Sequence, residues 1–331
     1  MRQSKVVEGF SDVMETGQHS GQRSHRCDVC GSQSFERLAV EGGFSLNQCR
    51  QCFLVVCLPI PSRDQRLGIY ADPEYFSGRR ILTRDHIAAL SEKGLAESAR
   101  SLRQIKRLSP PPARMLEVGC ATGAVLKAAE LLGYDVRGVD LSPYAAEIAR
   151  RELGLSVYNG ELRGAPFRAQ SFDIIACYHL VEHLSGPSEF LSRCRDLLRP
   201  GGILVVEVPD FGSLFARRQL TRWLHFKPME HIHHFDERSL SAILTKCGFE
   251  MLRVERDGWA SVFDFCGSFR ETAPVRNGGH DSRSDRGVLL RTARSVKACL
   301  CQVPGIADAL EDMIFRVVAL NDFLRAYARR V

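Results

Sequence analysis

The sequence predicts an α/β protein: a mostly parallel sheet with helices on both faces, preceded by a small cysteine-rich module. Two observations lead there. From residue 113 onward, short apolar runs alternate with helical stretches, the pattern of parallel strands joined by crossover helices. Ahead of them, four cysteines fall as two Cys-x2-Cys pairs.

ARMLEVGC (113–120) is a short apolar run ending in small residues, hence a buried strand. AVLKAAELLG (124–133) is a helix stopped by Gly133. DVRGVD (135–140) is the next strand, and SPYAAEIARREL (142–153) the next helix, with Ser142 as cap and Pro143 in its first turn. SVYNG, SFDIIACYH and GGILVVEVPD supply further strands, and the helix PSEFLSRCRDLL lies between the last two. After Asp210 an aromatic, His-rich stretch leads to the helix ERSLSAILTKCG and the strand FEMLRVER. Beyond a polar loop at 273–286, the stretch 287–331 reads as C-terminal helices. Ile306, Leu310, Met313, Val317, Leu320 and Leu324 recur there at helical spacing. Upstream, 1–24 reads as a disordered polar tail, 25–60 as the cysteine module, and 61–112 as a linker and helical connector closed by Pro110, Pro111 and Pro112. The main domain is expected over 113–272.

The 331 residues are 44% hydrophobic and 25% charged, enough for a full-sized core. No apolar run reaches the roughly 18 residues of a membrane-spanning helix. The first residues lack a signal-peptide centre, so the expected location is cytoplasmic. Net charge is +6, but the basic residues are scattered, which does not favour nucleic acid as a partner.

Chemistry is concentrated in three places. The first is the turn Glu117-Val118-Gly119-Cys120-Ala121-Thr122-Gly123, between a strand and a helix. Small residues there let a ligand approach the backbone, and the helix N-terminus offers free N–H groups. Asp140 ends the following strand, where a carboxylate can accept from both ribose hydroxyls. The order of motifs from this turn through VRGVDLSPYAAEIAR, GELRGAPFRAQSFDIIACYHLVEHL and LRPGGILVVEVPD resembles class I S-adenosylmethionine-dependent methyltransferases over residues 114 to about 250.

That resemblance implies a Rossmann-like, seven-stranded sheet with S-adenosylmethionine as cofactor. Glu117, Gly119, Cys120, Ala121 and Gly123 would line its methionine side. Asp140 would hold the ribose, with Leu141 near the adenine and Glu161 and Leu162 at its edge. Cys177 and Tyr178 would lie beneath it. Ala121 stands where the family usually has Gly, which a negative φ would accommodate. The implied reaction is methyl transfer to a small-molecule, sugar or lipid acceptor, most readily at oxygen. The competing readings are an RNA methyltransferase that holds nucleic acid with its cysteine module, and a non-catalytic cofactor-binding partner subunit.

The second place is the Cys27/Cys30/Cys49/Cys52 set. Two such pairs suit a tetrahedral structural zinc with no open coordination position, a zinc ribbon. Its layout resembles the module found before many bacterial methyltransferase domains. The third is the histidines. An oxygen nucleophile usually needs a base, and His183, His231, His233 and His234 are the candidates. Alternatively, Glu182-His183 resembles the E-x-x-E-H divalent-metal site of small-RNA and ubiquinone-pathway O-methyltransferases, with His179 where the first Glu would stand. Trp223, Phe226 and Phe235 are candidates for an apolar acceptor wall or, equally, for core packing. The C-terminal amphipathic helix is read as packing on the domain, with a homodimer interface or a peripheral membrane contact as the alternative.

Overall fold

The computed structural model describes residues 25–72, 75, 100–257 and 322–331. The elements run β1 (Phe35–Glu41), β2 (Phe44–Cys49), β3 (Val55–Leu58), α1 (Arg63–Ala71), α2 (Arg100–Leu108), β4 (Arg114–Val118), α3 (Ala124–Leu131), β5 (Asp135–Asp140), α4 (Pro143–Leu153), β6 (Val157–Asn159), β7 (Phe172–Tyr178), α5 (Pro187–Leu197), β8 (Leu198–Pro209), α6 (Leu214–Gln219), β9 (His233–His234), α7 (Glu237–Lys246), β10 (Phe249–Asp257) and β11 (Phe323–Arg330).

Seven strands form one sheet in the order β10-β11-β8-β7-β4-β5-β6. The pairs β8/β7, β7/β4, β4/β5 and β5/β6 are parallel, and β11 runs antiparallel to both β8 and β10. This is the mostly parallel, Rossmann-like sheet that the strand–helix alternation predicts. One face is packed by Leu191, Cys194 and Leu197 of α5 and by Leu240, Ile243 and Leu244 of α7. The other is packed by Leu102 and Ile105 of α2, Leu126 of α3, and Ala146, Ala149 and Leu153 of α4. Each large aliphatic side chain removed from water contributes about 1.5–3 kcal/mol, so the two layers account for the fold's placement.

Local signals set the helix ends. Ser142 Oγ accepts from Ala145 N–H, Pro143 takes the first turn, and Gly154 closes α4 in the left-handed region. Asp236 and Ser239 form a capping box at α7. Ser62 and Gln65 do the same for α1.

Two expectations change. The C-terminal stretch is not helical to its end: 287–321 lies outside the described residues, and Phe323–Arg330 is strand β11. The helical spacing that runs to Leu324 stops carrying information there, because Phe323 through Ala328 are all buried between two neighbouring strands. A strand covered on both faces shows no two-residue alternation. The tail 1–24 and the loop 273–286 also lie outside the described residues. The second change concerns the cysteine module, which is not a separate body. β1, β2 and β3 form a four-stranded sheet with β9 of the main domain, pairing Val55 with His234 and Val56 with His233. Asp28, in the first cysteine turn, accepts from Ser188 N–H at 2.7 Å and so caps α5 from outside. Among the described residues no helix is long and apolar enough to cross a membrane.

Candidate active site

The turn after β4 is built for close approach. Gly119 N–H donates to Val139 O at 2.8 Å, and Gly119, Ala121 and Gly123 have φ of +75°, +46° and +85°. A Cβ on Gly119 would lie 3.4 Å from Leu180 Cδ1, and one on Gly123 only 2.5 Å from Leu155 Cδ1. Gly123 is therefore required by packing of α3 against α4 as well as by its φ. Ala121 does not take the negative φ that would ease its methyl group; it sits in the left-handed region, a conformation costing about 1 kcal/mol or more for a non-Gly residue. Its N–H donates to Asp140 Oδ2 at 2.7 Å, a charge-assisted bond that offsets the strain.

Asp140 ends β5, with Oδ1 accepting from Ser142 N–H at 2.8 Å. Burial pushes its carboxyl pKa up, against these two bonds. Leu141 is partly exposed beside it, Leu162 is buried, and Glu161 is exposed and paired with Arg63 of α1 at 2.6 Å. Glu117 lies beneath the turn, fully enclosed, with Oε2 lacking any hydrogen-bond partner. Burial, then the neighbouring Asp140 carboxylate, raise its pKa to about 8. Gly119, Ala121, Asp140, Leu141 and Glu161 thus gather at the carboxyl ends of β4, β5 and β6, where ligands of open α/β sheets bind. An orphaned carboxylate oxygen under a glycine cradle suits a cofactor bearing an ammonium group.

Three of the expected cofactor residues turn their side chains away from this edge. Cys120 and Cys177 are buried core side chains: Cys120 packs against Gly138, and Cys177 lies in the core layer with Cys194. Tyr178 turns its hydroxyl to Ser101 Oγ at 2.7 Å and anchors α2 instead. Leucine and valine neighbours in the same short run give no sequence sign of which residue faces in.

The second half lies on the same sheet edge. After β7 the chain forms a 3-10 turn, Val181–His183. Glu182 is 1% exposed, and neither carboxylate oxygen has a hydrogen-bond partner. His183 Nδ1 lies 3.0 Å from the Glu230 carbonyl and 2.9 Å from the Tyr70 hydroxyl. A carbonyl only accepts, so Nδ1 carries the hydrogen and the Nε2 lone pair is left facing Glu182, 3.8 Å away. His231 repeats this: Nδ1 donates to His225 O at 2.8 Å, freeing Nε2. Burial lowers the pKa of both rings, keeping them neutral. Ligand atoms of Glu182, His183 and His231 all lie within 4.8 Å of one another. Two neutral imidazoles and an unsatisfied carboxylate suit a divalent cation, with the backbone carbonyls fixing ring orientation.

His179 borders this cluster at φ +50°, with Nε2 3.1 Å from Glu207 Oε1 and Nδ1 3.5 Å from Glu182 Oε1. Burial alone would lower its pKa, but Glu182 and Glu207 raise it to about 9. Glu207 is in turn held by Arg325 of β11, whose Nε donates at 2.6 Å. His234 sits outside the three-residue cluster, its ring 6.3 Å from His231 and against Trp223 and Phe211. His233 occupies the other face of β9. Phe235 belongs to the main core and Trp223 to a smaller core under the module, so neither is an open wall; Phe226 packs partly buried beside Trp223.

Sequence reasoning missed Tyr70, Glu207 and Arg325. Glu207 carries a signal, a lone acid inside the apolar run ILVVEVP. Tyr70 carries none, since its contact spans 113 residues.

In the cysteine module, Cys27 and Cys52 sulfurs are 3.4 Å apart, as are those of Cys30 and Cys49. Zinc–sulfur bonds of about 2.3 Å imply sulfur–sulfur separations of about 3.8 Å in a tetrahedron, so the four thiols fit such an ion.

Residues 93–254 match the family model described as a methyltransferase domain. A ubiquinone biosynthesis O-methyltransferase from Paraburkholderia phymatum is 35% identical over 95 residues, 27% of this chain and 41% of the relative. A mitochondrial ubiquinone biosynthesis O-methyltransferase from Schizosaccharomyces pombe is 32% identical over 126 residues, 36% of this chain and 44% of the relative. The matched stretch thus spans less than half the length of either relative. A solved SAM-dependent methyltransferase from Archaeoglobus fulgidus superposes with a TM-score of 0.47 and 18% identity, over 72% of this chain and 95% of that one.

Proposed function

We propose that the protein transfers the methyl group of S-adenosylmethionine to an oxygen of a small-molecule acceptor. The observation that carries this reading is the joining of the two halves. Leu180, in the Tyr178–Leu184 loop, packs on Gly119 of the cofactor turn, which sets the Glu182–His183–His231 cluster beside the place where the methyl donor would bind. Relatives named as O-methyltransferases support oxygen as the methylated atom.

The bound cofactor supplies a methyl group already activated on a sulfonium. The chain's residues do the rest. Asp140 would accept from the ribose hydroxyls, and Glu117 would meet the ammonium of the methionine part. The Gly119 turn and Leu180 would hold the sulfur end in place. Holding acceptor oxygen, methyl and sulfur in line removes most of the entropic barrier. Glu182, His183 and His231 would hold a divalent cation, whose chemistry there is to lower the pKa of an acceptor hydroxyl. The specific support for a cation is that both Glu182 oxygens are buried without a hydrogen-bond partner, facing the two neutral imidazoles and, at 3.5 Å, His179 Nδ1. The alternative is that His183 or His231 takes the hydroxyl proton directly on Nε2. The Cys27/Cys30/Cys49/Cys52 site would hold a structural zinc.

The test is methyl transfer from labelled S-adenosylmethionine to a panel of hydroxylated small molecules, with and without chelation. Transfer abolished by chelation and restored by Mg2+ or Mn2+ supports the cation; transfer indifferent to chelation assigns the proton to a histidine. Methylation found only at nitrogen or carbon would refute the oxygen reading.

A further inference from the structure

The segment between the cysteine module and the main domain reads in sequence as a connector, yet it enters the active site. α1 begins at a capping box three residues after Pro59 and presents Tyr70 to His183 Nδ1 at 2.9 Å. The two rings meet edge to face, 5.9 Å between centroids. Tyr75 continues the contact, its ring 5.3 Å from Tyr70 and its hydroxyl donating to Glu230 Oε2 at 3.4 Å. Glu230 is the residue whose carbonyl also receives the His183 Nδ1–H. We propose that Tyr70 is a positioning residue for His183, delivered by the cysteine module, so that the module serves the acceptor half of the site and not the cofactor half.

This rests on the reading of His183 as part of the acceptor site. Three anchors hold α1 and the module in register with that site. β3 pairs with β9, and Cys57 N–H donates to Ile232 O at 2.8 Å, next to His231. Asp28 caps α5 through Ser188 N–H, and Ser188 Oγ donates to Asp28 O at 2.9 Å. Arg66 of α1 reaches Ser185 Oγ at 3.4 Å, two residues beyond His183. Among the described residues α1 meets the cofactor half through the Arg63–Glu161 pair, both of whose side chains are more than half exposed, and such pairs are weak in water.

The hydroxyl's role follows from hydrogen-bond accounting. His183 Nδ1–H has two acceptors, the Glu230 carbonyl and Tyr70 Oη, which together fix the ring plane.

The test uses the full chain with Tyr70→Phe, which keeps the ring packing and removes one oxygen. Three quantities are read: S-adenosylmethionine affinity by calorimetry, exchange of the His183 Nδ1–H by 15N-histidine NMR, and the kcat–KM split for transfer. The same NMR readout is taken on wild type after zinc is removed by chelation. The expected result is an unchanged cofactor Kd, Nδ1–H exchange faster by about 10-fold or more, and a similar fall in kcat, the usual scale for losing an outer-shell partner. Zinc removal should speed the same exchange. An unaltered His183 signal in Tyr70→Phe overturns the positioning role. Loss of cofactor binding in that variant overturns the division of labour. If the His183 signal responds as expected while wild type methylates no acceptor, Tyr70's placement stands and the reading of the reaction falls.

Discussion

Ala121 N–H donates to Asp140 Oδ2 across 2.7 Å, tying the strained turn after β4 to the end of β5. The same carboxylate is the ribose acceptor in the proposed complex. Asp140→Ala therefore removes two things at once: the brace of a left-handed Ala and the ligand contact. Hydrogen bonds to charged groups contribute about 1.5–3 kcal/mol each, so cofactor affinity should fall by about 100-fold or more. Calorimetry on the folded variant checks this, and wild-type affinity would remove Asp140 from the site.

Cofactor binding should depend on pH through Glu117. With its pKa near 8, the carboxyl is largely protonated at neutral pH in the free protein. Only the carboxylate attracts an ammonium, so affinity should weaken as pH falls below about 8. Stability runs the other way. The folded pKa is raised above the 4.5 of an ordinary glutamate, so the folded state holds the proton more tightly. That contribution is complete below about pH 4.5 and is lost as pH rises through about 8. Glu117→Gln should flatten both profiles. Unchanged profiles in the variant would assign the pH dependence elsewhere.

Zinc should be integral to the module. Cys49 is wholly buried, and its substitution by Ser should abolish zinc binding and loosen β1 through β3 together with β9. Metal analysis and hydrogen exchange over 44–58 and 232–235 measure it. Full zinc content in Cys49→Ser would rule out the four-cysteine site.

The buried pair Arg325–Glu207 links the last strand to His179. Removing only Arg325 leaves Glu207 with His179 as its remaining cationic partner, so Arg325→Met should cost about 1.5–3 kcal/mol. Adding Glu207→Gln to it should recover much of that loss. A single variant as stable as wild type would mean that β11 is not clamped by this pair.

How much of this was legible in the sequence differs by element. Strands β4 to β8 and their helices announce themselves because each is bounded by a cap or a glycine and its neighbours are close in the chain. Asp140 is legible for the same reason, being fixed by its place at a strand end. β11 is not, because burial on both faces erases its alternation and Arg325 and Tyr327 look like surface residues until Glu207 and Glu255 are placed beside them. The His cluster is legible as a set of candidates, but its sorting needs the backbone. His183 and His231 share a site because Glu230 O and His225 O aim their rings, while His234 is turned toward Trp223. Gly123 is legible as a ligand-turn glycine, whereas its closest constraint is Leu155, in the loop that follows α4.

The central claim is that the edge formed by Gly119, Ala121 and Asp140 binds S-adenosylmethionine beside the Glu182–His183–His231 cluster. Calorimetric titration of the full chain with S-adenosylmethionine and its demethylated product tests it most directly. The account predicts micromolar binding of both at one site per chain, lost in Asp140→Ala. A folded protein that binds neither ligand would contradict it.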